Sequence, residues 1–316
     1  MRAMAIHDFG GPDAIEEIDA PDPLLGPDSV LIRVRGAGVN PVDAKIRQGG
    51  SEERWPHFFP LILGWDAAGV VDQVGPAVTH LGPGDEVYAY CRKDYVRDGT
   101  YAEYVTMRAE AVVRRPATLS LEEAAAVPLA ALTAYQLLHE GLHVESGDSV
   151  LIHGGSGGVG SFAVQLAKAA GAHVVATGSA RNHDHLRDLG ADEAIDYNEV
   201  DFADAVRESH PDGVDHVVDL VGGDTLERSA AAVRPRGMAA SVLVPAAPAP
   251  FAERDIAYSY VFVRPDGDQL TTLAGLIDDG SVRVHVQEVM PLADAARAHE
   301  QIESGHTRGK IVLRVD

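Results

Sequence analysis

Cysteine is almost missing from this chain: Cys91 stands alone among 316 residues. One thiol closes no internal disulfide and cannot build the clustered thiolates of a structural zinc lobe, so any redox chemistry has to come from a bound cofactor. Basic residues are scarce as well, 26 Lys and Arg against 48 Asp and Glu, for a formal net charge of −22. That field repels nucleic acid and anionic membranes over the body as a whole, yet it leaves room for a local basic pocket that binds a phosphate. Long apolar runs are absent too: no 18 consecutive apolar residues occur, and the start MRAMAIHDFGG lacks the apolar stretch of a secretory signal. The expectation is a cytoplasmic protein with neither nucleic acid nor membrane as partner.

What is present is ample apolar material, 46% of the chain. At this length it divides more naturally into two domains than one. Residues 1–117 read as short strands, at 30–34, 67–74 and 86–90 for instance, punctuated throughout by Gly and Pro, which predicts a mostly-β domain. From Ser120 the texture changes to LEEAAAVPLAALTAYQLLHE, with helical spacing, and then alternates. SVLIH, HVVAT, EAIDY and VDHVVDLV are separated by helices expected over 158–170, 183–189 and 202–208. A helix over 225–233, strands GMAASVL and YVFV, and a helix over 269–278 follow. Apolar strands spaced by amphipathic helices predict a doubly wound parallel α/β domain over 118–280. The tail 281–316, with a helix over 292–304 and the strand KIVLRV, is expected to return to the first domain. No internal repeat is present. The Pro/Ala stretch 245–250 reads either as a bland surface loop or as a connector that lids a site.

Strand SVLIH runs into His153-Gly-Gly-Ser-Gly-Gly-Val-Gly160 and then a helix. Gly155, Gly157 and Gly160 thus make G-x-G-x-x-G in the strand-turn-helix setting where that motif binds a dinucleotide. The N–H groups around Ser156, Gly158 and Val159 and the positive helix end hold the pyrophosphate. An NAD site carries an acid at the end of the second strand, about 20 residues on. Here the stretch is Ala176-Thr-Gly-Ser-Ala-Arg181. Ser179 and Arg181 suit a 2′-phosphate, which points to NADP(H); the alternative for Arg181 is a solvated residue at a helix start.

Together GAGVNPVDAKIRQG, LILGWDAAGVVDQVG, GPGDEVYAY, GTYAEYV, VPLAALTAY, HGGSGGVGSFAVQLAKAAGA, LGADEAIDY, VDLVGG and RGKIVL cover essentially the whole chain in order. This set resembles the medium-chain dehydrogenase/reductase superfamily in its zinc-independent, quinone oxidoreductase and zeta-crystallin-like branch. The resemblance implies a GroES-like β domain on the substrate side, a Rossmann domain for the cofactor, a site in the cleft between them, and homodimers joined edge to edge through the Rossmann sheets. It places Thr133, Val221 and the segment holding Phe262 and Val263 on the cofactor, and Tyr197 near the 2′-phosphate, where ordinary strand-end packing is the other reading.

Zinc alcohol dehydrogenases of the superfamily carry Cys where this chain has Asn40, and a His-Glu pair where it has Trp65-Asp66. The Lewis acid is therefore expected to be missing, and no metal site is assigned. His183 and His185, at i and i+2, share no helix face and form no zinc spacing. What remains is hydride transfer from NADPH to a carbon activated by conjugation, in a quinone or an α,β-unsaturated carbonyl. Asn40 is expected to offer its amide to a substrate carbonyl or cofactor ribose, or else to hold the turn before Pro41. Asp43 and Lys45 line the implied cleft; relatives often have Tyr at the latter position, and an Asp43–Lys45 ion pair is the structural alternative. Trp65 either walls the substrate cavity or is a core aromatic. Three functions stay open: a reductase of quinones or enones, detoxifying or biosynthetic; an NADPH-binding protein of little turnover; and a residual zinc dehydrogenase.

Overall fold

The computed structural model describes residues 1–50 and 54–316. The chain forms two compact units, one of Met1–Leu132, Arg264–Asp279 and Val284–Asp316, the other of Thr133–Val263 and Gly280–Arg283.

In the first unit the long strand Ser29–Val39 is the axis of a seven-stranded sheet. It pairs antiparallel with Asp66–Val74, Tyr104–Arg108 and the last strand, Lys310–Arg314, so the tail does return here. Arg2–Ile6 lies in a second, four-stranded sheet with Glu16–Asp19, His57–Ile62 and Val96–Asp98.

The expected boundary at 117/118 needs correction at two places. Helix Leu121–Ala125 is seated on the long strand, where a side chain at Gly38 would come 2.4 Å from the Ala125 carbonyl oxygen. The expected helix at 269–278 exists as Gly267–Asp278, but it too belongs to the first unit. Tyr88 Oη donates to Leu270 O at 2.6 Å, and the Asp278 carboxylate accepts from the Ala117 and Thr118 N–H groups at 3.0 and 2.9 Å. Only 280–283 rejoins the second unit, clasped by Gln165, whose amide bonds both the Arg283 N–H and carbonyl.

The second unit is a six-stranded sheet, parallel throughout, in the order Glu193–Ile195, His173–Thr177, Ser149–Ile152, Val214–Asp219, Val233–Ser241, Ala257–Tyr260. In chain order this is 3-2-1-4-5-6, the doubly wound order of dinucleotide-binding folds. Leu151, Val175, Val217 and Ala239 carry the sheet into a core with Phe202, Val206, Leu226 and Phe251, all nearly inaccessible. The apolar runs of the sequence are strands because both faces are covered.

Three local expectations shift. The sixth strand is Ala257–Tyr260, so Phe262 and Val263 lie just beyond it. The helix expected over 225–233 is Gly223–Ser229, because Val233 already begins the fifth strand. Within 245–250 the chain starts a short helix, Ala249–Glu253, whose Phe251 plugs the core. Among the described residues, no helix is long and apolar enough to cross a membrane.

Candidate active site

The glycine loop leaves the carboxyl end of Ser149–Ile152 and enters helix Gly158–Ala169 with Gly157 as its N-cap. The first N–H groups of a helix have no partner within it. Two glycines show why the loop is built this way. A Cβ at Gly160 would fall 2.2 Å from Gly154 O, so helix and strand close on each other only without it. At Gly157 an added Cβ meets nothing nearer than Gly154 O at 3.4 Å, leaving space over the helix terminus. That opening beside unpaired N–H groups is what a pyrophosphate requires, so the loop fits a dinucleotide.

Asn182, which sequence reasoning missed, couples this loop to the end of the second strand: its Nδ2 donates to Ser156 Oγ at 3.1 Å and to Ser179 Oγ at 3.3 Å. Both hydroxyl oxygens accept there, so neither O–H is used in these two bonds. Arg181 is exposed in the same short turn, and Tyr197 is exposed after the third strand. Asp196, just before Tyr197, accepts from Ala180 N at 2.9 Å and from Asn198 N at 3.0 Å. These backbone donors hold its carboxyl below the usual carboxylate range, so the turn carries a negative charge beside Arg181's neighbour.

Val221 is exposed, and a Cβ on Gly154 would touch it at 3.6 Å, which puts it at the edge of the loop. Its N–H and that of Gly222 are held by the buried Asp219 carboxylate, which also accepts from Ser241 Oγ at 2.8 Å. Asp219 thus ties the ends of the fourth and fifth strands. His153 does the same below the glycines, with Nδ1 on Thr177 Oγ1 at 3.2 Å and Nε2 on Ser229 Oγ at 2.9 Å. Ser229 Oγ donates to Thr225 O, so it accepts from Nε2–H. Burial pushes the His153 pKa down to about 4. Thr133 is buried in helix Pro128–Tyr135, and Phe262 is exposed. The structure thus gathers Gly155, Ser156, Gly157, Gly158, Val159, Gly160, Ser179 and Val221 around one loop; it places Thr133, Phe262 and Val263 on separate segments.

In the first unit the residues proposed for catalysis stand differently from expectation. Asn40 is buried, and its amide is committed: Nδ2 donates to Asp66 Oδ2 at 2.9 Å and Gly38 O at 3.4 Å, while Oδ1 accepts from Lys310 Nζ. The expectation of an amide presented to a substrate carbonyl is corrected, because both hydrogens and the oxygen already serve a buried network. Asn40 is instead the N-cap of helix Pro41–Arg47, and Asp43 closes the capping box by accepting from Asn40 N at 2.8 Å. Asp43 is fully buried, bonded by Tyr101 Oη at 3.2 Å, with its Oδ1 lacking a partner; burial pushes its pKa up to about 7. Lys45 is exposed on the same helix. The expected alternative, Asp43 paired with Lys45, gives way to these partners.

Lys310, from RGKIVL, is the cation that sequence reasoning overlooked. Its Nζ donates to Val39 O at 3.0 Å and lies 3.6 Å from Asp66 Oδ2. Asp66 also accepts from Leu129 N at 2.8 Å. Trp65 is buried edge-on against Trp55 and Tyr90, ring centroids 5.5 and 6.0 Å away. An amide, an indole and a carboxylate already bound by three donors do not fit a catalytic zinc. A cavity of about 1100 Å³ in this unit, lined among others by Arg92, Tyr95, Met107 and Thr271, includes none of the residues proposed for the site.

Comparison with known proteins finds two matching stretches. Residues 26–117 match the alcohol dehydrogenase GroES-like domain, and residues 189–313 match a family described as zinc-binding dehydrogenase. The chain is 33% identical to a chloroplastic quinone-oxidoreductase homolog of Spinacia oleracea, over 96% of this chain and 95% of that protein. The chain belongs to the quinone oxidoreductase-like branch of the medium-chain dehydrogenase/reductases. It is also 34% identical to the chloroplastic NADPH-dependent alkenal/one oxidoreductase of Arabidopsis thaliana, over 99% of this chain and 79% of that one. Among solved structures, the Escherichia coli quinone oxidoreductase complexed with NADPH superposes with a TM-score of 0.88 at 30% identity, covering both chains in full. The expected fold class, a Rossmann sheet with a GroES-like domain, is that of the family. The zinc in the second family's description finds no matching ligands at Asn40, Trp65 and Asp66.

Proposed function

We propose that this chain is an NADPH-dependent reductase that delivers hydride to a quinone or an α,β-unsaturated carbonyl without zinc. The observation that carries it is the pairing of an open glycine cradle at Gly157 with a superfamily zinc position filled by an amide, an indole and an engaged carboxylate. NADPH, when bound, supplies the hydride. The chain's own residues then have three tasks. Gly155 to Gly160 hold the pyrophosphate; Ser179 and Arg181 take the 2′-phosphate; Asp219 and His153 keep the loop ends fixed. Because no Lewis acid polarises the acceptor, the substrate must bring its own activation, which selects conjugated carbonyls over simple alcohols and ketones.

With Asn40 committed to its network, Lys45 is the proposed donor to the developing oxyanion, and Asp43 is a positioning residue that fixes the helix bearing it. Thr133, Phe262 and Val263 are proposed on the nicotinamide side and Tyr197 on the adenosine side. The assay is a panel of quinones and enones with NADPH and NADH. Oxidation of NADPH dependent on a conjugated acceptor is the expected result; fluorescence quenching without oxidation for any acceptor would make the chain a nucleotide-binding protein instead.

A homodimer joined through the outer strand Ala257–Tyr260, which ends the sheet order, is part of the same proposal; sedimentation of the purified chain tests it. A cytoplasmic location, proposed on the lone buried cysteine, is tested by fractionation.

A further inference from the structure

Away from the glycine loop, at the amino-terminal ends of the same parallel strands, three side chains from distant parts of the sequence converge. His173 opens the second strand, Glu193 opens the third, and His210 caps the end of helix Phe202–Ser209. His173 Nε2 lies 2.8 Å from Glu193 Oε1, and His210 Nε2 lies 3.1 Å from the same oxygen. All three ligand atoms fall within 4.8 Å of one another. A tetrahedral ion with bonds of about 2.0–2.1 Å holds its ligand atoms roughly 3.4 Å apart, so small side-chain shifts suffice to admit one.

The surroundings are those of a built site. Ser209 Oγ donates to Glu193 Oε2 at 2.7 Å, which fixes the carboxylate and leaves Oε1 facing the imidazoles. Asp192 Oδ2 stands 3.7 Å from His173 Nδ1, on the side where a carboxylate orients a metal-binding imidazole. That carboxylate is itself anchored by Val174 N at 2.7 Å and Lys168 Nζ at 2.8 Å. The side chains of His173, Glu193 and His210 keep 44%, 31% and 20% of their exposure, enough for water to complete the coordination.

We propose that His173, Glu193 and His210 form a site for a zinc-type divalent transition-metal ion that staples two strands and a helix at the end of the sheet opposite the cofactor loop. Two imidazoles with one carboxylate select zinc, nickel or copper over magnesium and calcium, which prefer oxygen ligands throughout. Its role is structural, since the ion adds a metal link where the paired second and third strands and the helix end are otherwise joined through side-chain hydrogen bonds to Glu193.

The test uses the full chain stripped of metal by a chelator and then titrated with zinc against a chromogenic indicator. One zinc per chain with a micromolar or tighter Kd and a raised unfolding midpoint is expected; magnesium should do neither. His210→Gln should weaken zinc by more than about tenfold, Ser209→Ala by about tenfold, and His173→Gln with His210→Gln should abolish the site. Metal-free variants that melt with the metal-free parent show that the fold is intact. Absence of saturable binding below millimolar zinc, or zinc binding undiminished in the double variant, overturns the proposal.

Discussion

Lys310→Met probes the buried network directly. The substitution keeps the length of the side chain but removes a cation that serves Val39 O, Asn40 Oδ1 and, at 3.6 Å, Asp66. Asp66 then keeps only Asn40 Nδ2 and Leu129 N as partners in a fully buried position. Breaking a buried pair on one side costs about 3–5 kcal/mol, because the remaining charge is uncompensated. Adding Asp66→Asn removes that charge, so the double variant should recover at least about 2 kcal/mol of the loss. Burial already pushes the Asp66 carboxyl up, and losing Lys310 pushes it further. A carboxyl whose folded pKa lies above its unfolded one contributes stability that is lost as pH rises, so the cost of Lys310→Met should grow as pH rises above the usual carboxylate range. Urea unfolding followed by tryptophan fluorescence is the assay, since Trp55 and Trp65 both lie in the first unit and report its transition alone. A cost under about 1 kcal/mol that does not change with pH would show that Lys310 does not compensate the Asp66 charge.

Gly157→Asp should weaken NADPH by at least about tenfold with the melting temperature nearly unchanged, because its side chain meets open space where phosphate approaches. Gly160→Ala should do the reverse first, costing about 1–3 kcal/mol in thermal unfolding, since its Cβ would meet the Gly154 carbonyl at 2.2 Å. Arg181→Ala should erase most of an NADPH preference of about tenfold, roughly 1.4 kcal/mol; equal KM values for the two cofactors in the parent chain would count against the 2′-phosphate assignment. His153, held near 4, stays neutral in the fold while the unfolded chain takes up a proton below about pH 6.5. Its contribution therefore falls as pH drops through that window, by up to about 1.4 kcal/mol per unit. Asp43, pushed up to about 7, works in the opposite sense, so the quantity to measure is the parent minus His153→Gln, which should show the slope.

The cofactor half of the site was legible because its signal is local. A strand, three glycines and a helix lie within some twenty residues, and their order alone dictates the loop. The 3-2-1-4-5-6 sheet follows from alternating apolar runs in the same way. Asn40 was legible as a position and, in one of its two readings, as the residue that holds the turn before Pro41; its buried partners were not. What occupies its amide comes from Asp66, 26 residues away, and Lys310, 270 residues away, and no spacing rule links them. His153 reads in the sequence as a residue before a glycine, and only the sheet register sets Thr177 and Ser229 against its two nitrogens. The same holds for the boundary: helix Leu121–Ala125 has the composition of the second domain, and its place on Gly38 is decided by packing.

The central claim is hydride transfer from NADPH to a conjugated acceptor with no zinc involved. Single-turnover stopped-flow with chelator-treated protein, NADPH in excess and a quinone or enone measures it directly. Acceptor-dependent loss of NADPH absorbance is expected, at a rate unchanged by the chelator and slowed when NADPH carries deuterium at the transferred position. NADPH that binds without being consumed by any conjugated acceptor, or turnover restored only by added zinc, would contradict it.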